Sequence, residues 1–430
     1  MNSLQISLCE EEALVPVGTI KTDRIGSPVF RYLSEYVDDS AAIPLSQSLP
    51  LSSNTYDEAQ LCPYFEGLLA EGSAREALAA ELHVRETNYL AILARCGHDC
   101  IGDVVIEDGN DHNSQTANEY EAVNDEQLIR YFKSLPDMTR ENIGSRLSLA
   151  GAQSKIGLAR MPGNGPMSRG WLKPHRLAAS THILKTCPIE KLIGLEFLCM
   201  KAAKECGIEV PEVALLDFGR PVLAVERFDR NVTVLQPELH VARLHQEDFA
   251  QAFGITSASK YAELQGGSIA AIARWIRARA SKPAEGISQF AKVVCFNYLV
   301  GNCDAHLKNF SIMYHNGRKG AAYSLSPAYG LVSTSFFDRF GKDMAMAIGD
   351  ARDIRDALPN DFALLAGNLG ITANYLKSIA APIVGTIGTA IRKAGDETLC
   401  PSQEFIPYLA NDPQEDIAPR LSILEEFCES

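Results

Sequence analysis

The chain has 430 residues, 46% of them apolar, with a mean hydropathy of -0.06; this excludes a disordered polymer and leaves room for two or three domains with sizeable cores. A net charge of -14 argues against a broad basic face for nucleic acid, so any contact with DNA is expected to be local or made through a partner. Eleven cysteines, an odd number spread along the chain, fit reduced thiols in a cytoplasmic protein better than a disulfide framework.

No apolar run approaches the ~18–20 residues of a membrane span, and the acidic start at 1–12 lacks the cationic lead of a secretory signal. Strand-like segments follow at 13–20 and 29–33, then Pro- and Ser-rich turns over 44–53. Residues 57–95 read as helical, with helix formers such as Glu76-Ala-Leu-Ala-Ala-Glu-Leu. Cys96-Gly-His98-Asp-Cys100 crowds potential ligands together without a second cluster, so a turn with buried thiols is the better reading than a metal site. The polar segment 107–115 marks the expected domain boundary.

From Leu147 the pattern changes. A small-residue loop, Ser148-Leu-Ala150-Gly151-Ala152-Gln153-Ser-Lys, precedes a strand-like run, and 163–166 read as a turn. Thr181-His-Ile-Leu-Lys185 reads as a strand ending in lysine, and 189–206 as an amphipathic helix capped by Gly207. Strands are expected at 213–217 and 221–226, before Arg227-Phe228-Asp229-Arg230. Beyond Asp248 the chain reads as mostly helical, interrupted by a hairpin over 313–323 with an Asn316-Gly317 turn. Strands, a linker and a helical remainder together describe a bilobed α+β enzyme.

The chemistry concentrates where an apolar helix runs into Asn302-Cys-Asp304-Ala-His306-Leu-Lys308-Asn309. Asp304 and Asn309 have the spacing of a kinase catalytic loop, where the carboxylate orients the attacking hydroxyl and the carboxamide holds a metal. The bland alternatives are an Asp that ends a helix and an Asn that opens a turn. His306 supports the loop, contacts phosphate, or is a satisfied core histidine; Lys308 could neutralise a transferring phosphoryl group. Lys185 ends its strand where a phosphate-binding lysine would stand, although strand-terminal lysines are more often solvated. Small residues at Ala150, Gly151 and Ala152 would let backbone N–H groups approach phosphate oxygens.

These residues resemble the HipA family of bacterial serine/threonine kinases, the toxin half of type II toxin–antitoxin pairs. The resemblance covers almost the whole chain. It rests on Leu45-Ser-Gln-Ser-Leu-Pro50, Tyr64-Phe-Glu-Gly-Leu-Leu-Ala, Ser148-Leu-Ala-Gly-Ala-Gln, Thr181-His-Ile-Leu-Lys, Ala224-Val-Glu-Arg-Phe-Asp-Arg, Gln246-Glu-Asp-Phe and Asp304-Ala-His-Leu-Lys-Asn, in that order. It implies a protein-kinase-like fold with an N-terminal subdomain (1–115), a kinase N-lobe carrying the ATP loop and hinge (116–230) and an all-helical C-terminal lobe (231–430). It also implies ATP with Mg2+ as phosphoryl donor and a HipB-like helix-turn-helix antitoxin as partner, with DNA reached only through that antitoxin. Relatives with known targets act on aminoacyl-tRNA synthetases. By the same resemblance, Glu226 and Phe228 would hold adenine, Gln153 would belong to the ATP loop, and Ser148 would be the serine whose autophosphorylation switches the kinase off. The alternative for Glu226 is a surface ion pair with Arg227 beside a core Phe.

One part departs from the pattern. The family sequence here would read Tyr-Asp, and this chain has Tyr329-Gly330. Removing a metal-binding carboxylate is expected to cost on the order of a thousandfold in rate while sparing nucleotide binding. Asp338 lies too far along to substitute. Gly330 is either natural, leaving a pseudokinase that binds an antitoxin and supports repression of its operon, or a change that spares the host an active toxin. A small-molecule or lipid kinase is a further rival, weakened by the absence of a basic membrane-binding patch.

Overall fold

The computed structural model describes residues 3–10, 13–24, 26–109, 118–163, 165, 167–189, 191–235, 238–315, 322–396 and 417–430. Its residues group into two compact units. The first comprises 1–188, 216–258 and 313–322; the second comprises 189–215, 259–312 and 323–430.

The first unit begins with an antiparallel sheet of β1 (Ser3–Glu10), β2 (Ala13–Thr22), β3 (Pro28–Tyr32), β4 (Thr55–Tyr56) and β5 (Val104–Asp108), in the order β4-β3-β2-β1-β5. Leu4, Ile6 and Leu8 alternate into the core with no exposure, as period-two patterning requires. Both β1 and β5 escaped the sequence reading. Helices Glu58–Gly67, Gly72–Glu81 and Tyr89–Cys96 fill the region expected to be helical. The first opens with a reciprocal capping box between Asp57 and Gln60, which satisfies two otherwise orphaned N–H groups.

A second sheet carries β6 (Asn118–Ala122), β7 (Ser154–Arg160), β8 (Trp171–Arg176), β9 (His182–Thr186), β10 (Val213–Asp217) and β11 (Pro221–Glu226), in the order β10-β11-β9-β7-β8-β6. The strands expected at 181–185, 213–217 and 221–226 are therefore neighbours in space. A ribbon of β12 (Arg230–Leu235) and β13 (Glu238–Arg243) follows. The boundary expected at 107–115 starts with the last residues of β5 and then passes outside the described residues, as does the Asn316-Gly317 turn between Ser311–His315 and Ala322–Leu325.

The second unit is built on helices Leu192–Glu205, Ser268–Arg279, Pro283–Val300, Pro359–Leu369, Ala373–Asp396 and Ile417–Glu429. Buried Tyr298, Phe362 and Phe427 join three of them, with ring centroids 5.0 and 5.7 Å apart. Each such ring contributes ~1.5–3 kcal/mol by leaving water. The unit is mostly helical, but the all-helical lobe expected over 231–430 does not form: β12 and β13 make a ribbon in that range, and Asp343–Ile348 pairs with Ala351–Asp353 in another. Ten cysteines lie among the described residues, and none of them is in a disulfide.

Candidate active site

In the second unit the helix Pro283–Val300 stops at Gly301, whose φ of +74° is left-handed and whose Cβ would collide with Ser335 Oγ. A glycine is needed there, and it turns the chain into the loop 302–309. Asn302 organises the turn: its Nδ2 donates to Asn297 Oδ1 (2.8 Å) and to the Gly330 carbonyl (3.2 Å), while its Oδ1 accepts from the Asp304 N–H (3.2 Å). Asp304 is half-buried, and its Oδ1 accepts the hydroxyl proton of Tyr261 at 2.6 Å. A carboxylate so placed can orient a hydroxyl, since it already does.

His306 caps the single 3-10 turn Leu307–Asn309. Its Nδ1 accepts from the Lys308 N–H (3.2 Å), and its own N–H donates to Asn309 Oδ1 (3.2 Å). Burial, with Lys260 and Lys308 nearby, pulls the imidazole down to about 3, so it stays neutral as an acceptor must. The geometry thus gives His306 the loop-supporting place among the three readings. Lys308 is buried, and its carbonyl accepts from Tyr329 Oη (2.8 Å), which also meets Ser311 Oγ at 2.6 Å.

That tyrosine pins the next residue beside the loop. Gly330 has φ +65°, and a Cβ built on it would lie 2.7 Å from Asn309 Nδ2. Position 330 and the Asn309 carboxamide therefore face each other. Asp338, by contrast, is exposed.

In the first unit, β7 and β9 place Lys155 directly opposite Lys185. Two ammonium groups facing each other on one strand pair cost ~0.2–1 kcal/mol unless something anionic or a carbonyl offsets them. Lys155 Nζ does donate to the Ala150 carbonyl, folding the loop 148–153 over the strand pair. Gly151 has φ +104°, and a Cβ there would strike Lys155 Nζ at 2.6 Å. Ala152 is exposed, whereas Ala150, Gly151 and Gln153 are half-buried. The loop is also held from behind: Ser148 Oγ donates to the Leu68 carbonyl (3.0 Å), and the Glu71 N–H donates to the Gly151 carbonyl (3.1 Å). Ser148 is only 2% exposed, so a kinase could reach its hydroxyl only after the loop leaves this place.

β11 lies beside β9, with Leu223 opposite Lys185 and Glu226 opposite His182. Glu226 is exposed and Phe228 half-buried. Arg227 turns inward to Asp229 (2.7 Å) and Asp99 (3.4 Å) and is no surface residue. Cys96 and Cys100 are buried, and burial pushes both thiols up to about 12. Neither therefore offers a ready thiolate ligand.

Two family models match the sequence: the HipA N-terminal domain over residues 13–107 and the HipA-like C-terminal domain over residues 147–391. The chain belongs to the HipA family. Among its relatives, Y4mE of Sinorhizobium fredii, named provisionally as a kinase, is 32% identical across 89% of this chain and 90% of its own length. The serine/threonine-protein kinase toxin HipA of Shewanella oneidensis is 29% identical across 82% of this chain and 81% of its own. The solved complex of HipA, HipB and operator DNA from Shewanella oneidensis MR-1 contains a chain matching this one with a TM-score of 0.78 at 26% identity, over 99% of this chain and 96% of that one. The α+β, kinase-like HipA fold is thereby established for this chain.

Three residues beside the expected positions were not anticipated from the sequence: Lys155 in the first unit, and Tyr261 and Tyr329 in the second. Lys155 stood inside a quoted motif, and its pairing with Lys185 needed only the strand alternation to be read. Tyr329 likewise adjoined a singled-out glycine. Tyr261 had no signal, because it comes from a separate loop.

Proposed function

We propose that this chain is an ATP-binding serine/threonine protein kinase of the HipA toxin type whose phosphoryl transfer is crippled at Gly330. The observation that carries this reading is the 2.7 Å approach of a Gly330 Cβ to the Asn309 carboxamide. A carboxylate at 330 would stand beside the Asn309 carboxamide, which would turn its Oδ1 from the His306 N–H (3.2 Å) to serve as the second oxygen donor, the arrangement by which kinases hold Mg2+. With glycine there, the donor set is one carboxylate short. Mg2+, when bound, would supply charge neutralisation at the transferring phosphoryl group.

Nucleotide binding does not depend on that carboxylate. Ala150, Gly151, Ala152 and Gln153 offer backbone N–H groups, Lys185 an ammonium, and Glu226 and Phe228 an edge and a face for adenine. Asp304 would orient the acceptor hydroxyl, with Lys308 as a nearby cation and His306 as a positioning residue for the turn that presents Asn309. In this reading the protein works in the cytoplasm, its acceptor is a translation protein of the aminoacyl-tRNA synthetase class, and Ser148 is its own phosphosite once the loop has left Leu68. A HipB-like antitoxin is the expected partner, since the similar solved structure is a complex with HipB and operator DNA.

A second reading follows from the same glycine: a pseudokinase that binds an antitoxin and supports repression without transferring phosphate. Label transfer from ATP separates the two. Gly330→Asp should gain self-labelling by on the order of a thousandfold over the natural chain. Gly330 stands at φ +65° and a Cβ there meets Asn309 Nδ2 at 2.7 Å, so Gly330→Asp needs the Asn309 side chain to shift; aspartate is among the residues that tolerate left-handed φ best. If Gly330→Asp transfers no label to itself or to a protein acceptor, the kinase reading fails and the binding module stands.

A further inference from the structure

The turn 96–103, which contains the Cys96–Cys100 bend, bonds to residues adjoining the loop 148–153, β9 and Phe228. Asp99 is 1% exposed. Its backbone carbonyl accepts from the Ser148 N–H (3.2 Å), and Asp99 forms a parallel bridge with Leu147, at the mouth of the loop. Its Oδ2 accepts from the Ser180 N–H (3.0 Å), just before β9, the strand that presents Lys185. Its Oδ1 meets Arg230 Nη2 (2.8 Å) and Arg227 Nη1 (3.4 Å), which flank Phe228. The next residues continue the pattern. The Cys100 carbonyl accepts from Arg227 and Arg230 (2.8 and 2.9 Å), and the Gly102 N–H donates to Asp229 Oδ2 (2.7 Å).

Replacing a buried cluster of this kind with apolar residues is often neutral or stabilising, so net stability is a poor account of it. What it supplies is direction. The donors come from the loop at Ser148, from Ser180 just ahead of β9, and from Arg227 and Arg230, with Arg243 of β13 a further cation 4.0 Å from Asp99 Oδ1. We propose that Asp99 is a positioning residue for nucleotide, fixing the loop 147–153 and the segment 226–230 in one arrangement. This deepens, and rests on, the nucleotide-binding reading above.

Asp103 provides the control. It is also buried, at 4% exposure, and its carboxylate pairs with His245 Nδ1 (2.6 Å), whereas the Asp99 carboxylate meets Ser180, Arg227 and Arg230. The experiment compares the full-length chain with Asp99→Asn, Asp99→Glu and Asp103→Asn, by hydrogen exchange without nucleotide and by titration with mant-ATP. Asp99→Asn should raise exchange across 147–153 and 226–230 and weaken mant-ATP binding, each by about tenfold or more. Asp99→Glu keeps the charge and should fall between Asn and the natural chain; it also serves if the Asn variant does not fold. Asp103→Asn should leave both readouts within about twofold. Equal exchange at those two segments in the Asp99 and Asp103 variants would overturn the proposal. If the natural chain binds no mant-ATP, the nucleotide reading fails, while the exchange pattern still decides whether Asp99 positions these segments.

Discussion

The loop 302–309 and the cluster around Asp99 are organised by opposite means. In the loop, most partners lie within five residues of each other, as with Asn302 and Asn297 or His306 and Asn309. Around Asp99 the partners are far apart along the chain: Arg227 meets Asp99 across 128 residues, and Arg230 meets it across 131. A local constellation advertises itself through spacing. A distant one leaves only isolated charges in the sequence, with nothing to say that they meet. The difference also predicts how each responds to substitution, since chemistry is proposed for the loop and positioning for the cluster.

Removing the loop's carboxylate should have the largest effect. In the Gly330→Asp background, Asp304→Asn should lower label transfer on the order of a thousandfold, about 4 kcal/mol of transition-state stabilisation. ATP affinity, measured by calorimetry, should be unchanged. A matching loss of affinity would place Asp304 in nucleotide binding and blur the contrast between the regions.

Breaking the interior cluster should instead cost stability. Arg230→Met removes partners from Asp99, Asp229, Cys100 and Gly102 at once, leaving buried acceptors and two carboxylates undercompensated. Burial alone would raise Asp229, but Arg227 and Arg230 hold its carboxyl below the usual range, so losing one arginine is felt directly. Urea denaturation should show a loss of about 3 kcal/mol. A loss under about 1 kcal/mol, the usual size of a surface pair, would mean that water reaches the cluster.

A smaller effect separates the regions by pH. His306 has its pKa depressed to about 3, so its contribution is present above about 6.5 and is lost as the pH falls toward 3. Between pH 7 and 5 this amounts to about 2 kcal/mol. Buried His182, pulled down to about 4, acts in the same direction. Glu247, which burial raises to about 7, acts in the opposite one, with stability lost as pH rises through that window. The difference in acid sensitivity between the natural chain and His306→Gln isolates the loop. Identical pH–stability curves would show that the loop cap carries no proton linkage.

The smallest effect concerns Tyr261, which is half exposed and occupies the Asp304 oxygen that an acceptor hydroxyl would use. In the Gly330→Asp background, Tyr261→Phe should raise kcat/KM for a protein acceptor about fivefold, the value of one hydrogen bond near 1 kcal/mol. A fall would mean that the tyrosine holds Asp304 in place.

The same contrast explains what could be read in the sequence. Strands β9, β10 and β11 and the helix behind Gly207 were legible because apolar runs ended in turn formers. Residues 3–10 show no strand signal because acid follows them closely, although β1 is paired on both sides in its sheet. The ribbon after Asp343 was hidden by its short length. The 302–309 stretch stood out by its spacing and drew its kinase reading from the other motifs in order, and the Tyr329–Gly330 pair from its departure from the family pattern. Asp99 could not, since its role depends on arginines that only the folded chain brings near. Phe228 was legible as a residue, while the inward turn of its neighbour Arg227 was not.

The central claim is that this chain keeps a nucleotide site and lacks one metal-binding carboxylate. The direct measurement is ATP affinity of the natural chain and of Gly330→Asp, each titrated with and without Mg2+. The account predicts that Mg2+ strengthens ATP binding by about tenfold more in Gly330→Asp than in the natural chain, which binds ATP similarly in both conditions. Equal strengthening by Mg2+ in the two proteins would contradict it.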